Sequence, residues 1–161
     1  MTIPAALLLL VIMVLPGLMA GGIQSQQLEA QAGRNVAEAM LTSRFYVERS
    51  LDPSHSGHFD PLDFVPARHQ AEYGAYELSG YAEDGAIYVY TEAAPALLEQ
   101  LSQQTDNSLN VGIIRDGHVM ELDAPTCERL QSGACELQVP ADIPVGSVVA
   151  AAGSGLSLIH I

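Results

Sequence analysis

The chain has 161 residues, with 19 acidic side chains against six arginines and no lysine, for a net charge of −13. No basic face is available to neutralise phosphates, which argues against nucleic-acid binding and against polybasic attachment to anionic lipid. The same balance favours partners with basic surfaces, and the length suits one modest domain beside any anchor.

Residues 1–28 carry no charged side chain. Residues 3–20 (IPAALLLLVIMVLPGLMA) are almost wholly apolar. With residues 21–23 they reach the roughly 20 apolar positions that a membrane-spanning helix needs. The expectation is a single transmembrane anchor over 1–23. A cleaved signal peptide competes with it, but the segment before the apolar run is only Met-Thr, and large Leu18 spoils a small-x-small cleavage site before Gly21. Pro16 is tolerable in a membrane helix, with a kink. No cysteine lies near Ala20, so a lipoprotein anchor is excluded.

Residues 24–52 read as a stalk helix continuing from the anchor. Val36, Met40, Val47 and Leu51 fall near helical spacing, and Arg34, Glu38 and Arg49 lie off that stripe. Asp52-Pro53 ends the pattern, because a residue before proline avoids the helical region. Two uses of the stripe stand open: packing on the chain's own domain, or packing on a partner's helix as well. Residues 53–153 then form an α+β domain on the far side of the anchor.

Within that domain, residues 54–68 read as a loop rich in Pro, Gly, Asp and His. Residues 76–83 and 86–91 flank Asp84-Gly85, a favoured two-residue hairpin turn, and Ile87-Tyr88-Val89-Tyr90 has strong strand chemistry. Residues 95–104 read as a short helix with proline in its first turn and with Leu97, Leu98 and Leu101 inward. A second hairpin is expected from 109–115 and 118–122 around Asp116-Gly117. Gly112 inside its first strand suggests a bulge or a close backbone approach. Residues 140–144 form a turn, and residues 145–152 supply a last strand. The fold class is therefore α+β: a transmembrane helix continuing into a long helix, then a small antiparallel β-rich domain with one short helix. Residues 154–161 fall outside this logic. The end, Leu-Ser-Leu-Ile-His-Ile, equals the translation of a common transposase-type sequencing adapter, so it is set aside as a non-native tail.

Candidate chemistry is sparse. Cys127 and Cys135 are the only cysteines. A disulfide between them would close a short loop, contribute roughly 2–3 kcal/mol and require an oxidising compartment. Two unpaired buried thiols are the alternative. Zinc is disfavoured because no second Cys or His pair lies nearby. His55, His58, Asp60, Asp63 and His69 cluster in sequence, but without a recognised metal spacing, and an irregular solvated loop is the competing reading. Glu72, Glu77, Glu83, Glu92 and Glu99 show no preferred pair. No nucleophile elbow, phosphate loop or dinucleotide fingerprint is present. The sequence therefore offers no catalytic residue, cofactor or small-molecule substrate.

Several stretches together resemble the PilM family of conjugative thin (type IVB) pilus systems. They are an apolar N-terminal segment with a Gln/Glu-rich helix, Asn35-Val36-Ala37-Glu38-Ala39-Met40 and Phe45-Tyr46-Val47. Ala96-Leu97-Leu98-Glu99 and Asn107-Ser108-Leu109-Asn110-Val111-Gly112-Ile113 with Asp116-Gly117 add to them. So does the segment VPADIPVGSVV at 139–149. The resemblance spans roughly residues 1–152. It implies a protein of the bacterial inner membrane, with its domain in the periplasm, that contacts other pilus-assembly proteins. Two alternatives remain. A minor pilin or pseudopilin would carry a processing site and an early glutamate in its apolar run, and both are missing. A periplasmic metal-binding or enzymatic domain would use the 55–69 histidines.

Overall fold

The computed structural model describes the backbone over residues 3–94, 96–105, 110–115, 119–122 and 136–153, and side chains over 25–94, 96–105, 111–115 and 137–153. Helix α1 runs unbroken from Ile3–Ser50, 48 residues. At about 1.5 Å per residue that is roughly 70 Å of helix. It closes on a final Leu51 N–H bond to the Val47 carbonyl. Asp52 then turns the chain by accepting from both the backbone N–H and the hydroxyl of Ser54, an Asx turn that competes with further helix.

Burial changes along α1. Leu28 is 71% exposed, and Gly33 is the first buried residue among those whose side chains are described. Beyond it Ala37, Ala39, Met40, Ser43, Arg44 and Val47 all turn inward. The stripe expected from spacing is correct at Met40 and Val47, both fully buried. Small Ala37 and Ala39 let the helix approach the sheet closely.

The transmembrane anchor expected over 1–23 is corrected here. Among the described residues no helix is long and apolar enough to cross a membrane. The physical reason lies in α1 itself. Its described side chains include Glu29, Arg34, Glu38, Arg44, Glu48 and Arg49, and its apolar stripe is occupied by the sheet. A spanning helix needs about 20 consecutive apolar positions, which the described side chains of α1, residues 25–50, do not supply. The expected placement in a bacterial inner membrane with a periplasmic domain rested on that anchor and falls with it.

The rest folds as one antiparallel sheet of seven strands in the order β1-β2-β3-β7-β4-β5-β6. They are β1 (Gly57–Phe59), β2 (Ser79–Glu83), β3 (Ala86–Glu92), β4 (Asn110–Arg115), β5 (Val119–Leu122), β6 (Glu136–Gln138) and β7 (Ser147–Gly153). A 3-10 turn (Pro61–Phe64) and α2 (Ala67–Tyr73) follow β1, and α3 (Leu97–Gln104) links β3 to β4. The last strand in sequence is central in space: β7 pairs with β3 over seven positions and with β4 over four. Val148, Val149, Ala150 and Ala151 are buried on both sheet faces, as the apolar run of a central strand requires.

Alternation separates two cores. Val89, Val111, Val148 and Ala150 face α1 and α3, joining Met40, Leu97 and Leu101. Tyr81, Tyr88, Tyr90, Val149, Ala151 and Ile114 face the other way, under Leu137, Val139 and Ile143. The β2–β3 hairpin forms at the expected place. Asp84 (φ 51°) and Gly85 (φ 80°) both adopt the left-handed conformation, the geometry that a two-residue hairpin selects. β4 and β5 pair as expected, with their Asp116-Gly117 turn outside the described residues. Gly112 sits in regular register opposite Leu122 and Val149, so no bulge occurs there. The expected loop over 54–68 is instead structured. His58 and Phe59 belong to an edge strand, and Asp60 caps the 3-10 turn by accepting from the Leu62 N–H.

Candidate functional site

The sheet face opposite α1 gathers the polar aromatic groups. Tyr81 and Tyr88 are cross-strand partners, and Tyr90 lies two positions along β3 on the same face. The period of two in Tyr88-Val89-Tyr90 puts both phenols there and sends Val89 to the other core. His58, paired opposite Tyr81, meets that ring edge-on at 5.0 Å between centroids. Its Nδ1 lies 3.5 Å from the Tyr90 hydroxyl. The Tyr81 hydroxyl donates to Asp142 Oδ2 at 3.1 Å, across 61 positions of sequence. This bond ties the turn before β7 to β2.

All three phenols titrate above the ordinary tyrosine value. Burial is the leading cause in each. For Tyr81, the bond to Asp142 and that carboxylate's charge add to it. For Tyr90, a hydroxyl bond from Ser79 pulls the other way, and Asp142 pushes up again. Tyr88 is pushed up to about 12 by burial, with Glu83 and Asp84 adding to it. At neutral pH these groups are protonated, so they act as hydrogen-bond donors and not as nucleophiles or bases.

Beside this face opens a cleft of about 610 Å³. It lies where β2 begins, β3 ends and β7 begins. Glu77, Ser79 and Glu92 line it with the buried Tyr90, and Val145 and Ser147 close the far side. Val145 is 53% exposed. The Glu77 backbone carbonyl accepts from the Thr91 hydroxyl at 2.9 Å, fixing that wall while its carboxylate stays in solvent. A smaller cavity of about 200 Å³ lies between the end of α1 and the β2–β3 turn, and Leu51, His55, Ala82 and Ile87 line it. There the His55 Nε2 is buried without a hydrogen-bond partner.

The residues singled out by sequence do not come together. His55 packs edge-on against Phe59, His58 is on the tyrosine face, Asp60 is a cap, Asp63 is in the 3-10 turn, and His69 stacks on Tyr73. Among the described residues no group of three or more His, Cys, Asp or Glu side chains could hold a metal ion. Cys127, Cys135 and their expected disulfide lie outside the described residues. Sequence reading missed the tyrosine face and the cleft. The alternation at 88–90 was the available signal for the phenols, but Asp142 could not be matched to Tyr81 without the topology.

The architecture is that of a small α+β protein: a long N-terminal helix laid on one face of an antiparallel sheet, with a polar aromatic face and an open acidic cleft on the opposite side. The family model of PilM matches residues 10–151. The chain belongs to the PilM family, whose function is pilus-related. No curated protein and no solved structure matches the chain.

Proposed function

We propose that this protein is a component of conjugative type IV (thin) pilus biogenesis and works by contacts with other pilus-assembly proteins, not by catalysis. Membership of the PilM family supports the pilus setting. The observation that carries the mode of action is the cleft. It is broad, acidic and walled in part by exposed Val145, and its one phenol, Tyr90, is protonated at neutral pH. Such a surface suits recognition of another protein better than acid–base chemistry, which needs a group that titrates near working pH.

Deleting the gene from a thin-pilus conjugation system should abolish piliation and conjugal transfer, with both restored by the wild-type chain. Unchanged piliation in the deletion would remove the reading. A second reading, a pilin-like filament subunit, draws support from the reach of α1 beyond the sheet and from exposed Leu28. Sheared pili separate the two: a subunit is recovered with the filaments, and an assembly component is not.

A further inference from the structure

We propose that the stretch of α1 ahead of the sheet, residues 3–32, is where two copies of this chain associate, helix against helix. The inference goes beyond the assembly role and holds whichever step of pilus assembly the chain serves. α1 runs over Ile3–Ser50, and its buried side chains begin at Gly33 among those described. About 30 residues of helix, roughly 45 Å, therefore precede the part that the sheet holds. Residues 25–29, 31 and 32 are exposed. They span more than two turns, so the helix is open to solvent all round there, with Leu28 at 71% exposure. A helix in water draws most of its stability from packing one face. A sequence as apolar as residues 3–23 is one that a helix buries against something.

The charge pattern says what that is. All 19 acidic side chains and all six arginines lie beyond residue 28, and residues 1–28 are the longest stretch without a charged side chain. Two copies, each with a net charge of −13, repel where their domains face one another, because like charges across an interface are costly. Over the forward part of α1 they approach with no charged pair in contact. The stretch is also self-complementary. Gln24, Gln26, Gln27, Gln31 and Asn35 carry amides, each both donor and acceptor. Gln31 donates to Asn35 at 3.2 Å within one helix, and facing amides of two copies can form the same bond without a counter-charge. A basic partner would be drawn to the carboxylates of the domain, and residues 1–28 offer it none.

Sedimentation equilibrium of the purified full chain over a concentration series tests this, with a photocrosslinking amino acid at position 28 as the positional readout. The expected result is a reversible species of two or more chains, and an adduct that joins position 28 to α1 of another copy. Leu28→Glu/Gln31→Glu removes an apolar side chain from the contact and sets like charges across it, so the dissociation constant should rise at least about tenfold. Both positions are exposed, so the circular dichroism of the sheet should be unchanged. Gln138→Glu/Ala141→Glu adds equal charge at exposed domain positions and should shift the constant by less than about twofold, since salt screens it. Added salt should leave the association unchanged or tighten it, because repulsion between domains is the charge effect it screens. A monomer at every concentration, association that weakens with salt, or equal effects of the two double variants would overturn the proposal. So would an adduct that maps to the domain of another copy, or a chain that floats with phospholipid vesicles as a monomer.

Discussion

Arg44 shows how single residues carry opposing demands. It is 8% exposed inside α1, with one guanidinium nitrogen bonded to Glu48 at 3.0 Å. Its Nε and Nη1 have no partner, and neither does the adjacent Ser43 hydroxyl. Burial pushes this guanidinium below the ordinary arginine value, and Glu48 pulls it part of the way back. A buried, half-satisfied ion is often no better than an apolar side chain of similar size. Arg44→Met should therefore raise stability by about 1 kcal/mol, measured by urea unfolding; a clear loss would show that the charge has a stabilising partner. Gly85 is the opposite case. At φ 80° it has a conformation that side chains resist, so Gly85→Ala should cost about 1 kcal/mol. Tyr88 governs alkaline behaviour. Its folded value, raised to about 12 from 10.0, means that the folded state keeps a proton which the unfolded chain releases. The associated stability is fully present below pH 10.0 and is lost as pH rises toward about 12. Tyr81 and Tyr90 shift in the same direction. Denaturant unfolding across that window should show a fall that is shallower in Tyr88→Phe, and an identical slope would contradict the assignment.

At the scale of elements, the edge strand β1 depends on one fit. Phe59 pairs opposite Gly80, and its ring lies where a Cβ at Gly80 would sit. Gly80→Ala should displace the ring and cost about 1–3 kcal/mol, with faster amide exchange at 57–59 as the local readout. Helix α1 is held to the sheet by Met40, fully buried among Leu97, Leu101 and Val89. Met40→Ala should cost about 2–5 kcal/mol; a loss below 1 kcal/mol would mean the helix packs loosely. The β2–β3 hairpin was legible because local chemistry decides it: Asp84-Gly85 between alternating strands fixes turn and register together. Residues 54–68 were not. A strand of three residues, Gly57–Phe59, carries too little pattern to be read, and it forms only because β2 offers a free edge. The apolar run at the N-terminus gave a sequence signal for an anchor that the helix, taken as one element, does not bear out.

For the whole molecule, the general class was readable and the site was not. The α+β class follows from the order of periodic segments. The central place of β7 does not, since β3, β4 and β7 are brought together by long-range pairing alone. The cleft inherits that limit: Glu77 and Tyr90 meet across the β2–β3 hairpin, but Ser147 joins them only once β7 inserts between β3 and β4. The histidines at 55–69 mislead for the converse reason, because neighbours along an irregular segment point to different sides once it folds. Acidity was legible from composition, and the fold gives it a place.

The central claim is that this chain serves pilus assembly through protein contacts. In-cell crosslinking of a tagged chain, followed by affinity purification from a host with a thin-pilus system, tests that most directly. The account predicts recovery of other pilus-assembly proteins with the tagged chain. A bait that returns no pilus protein while the system is piliated would contradict it.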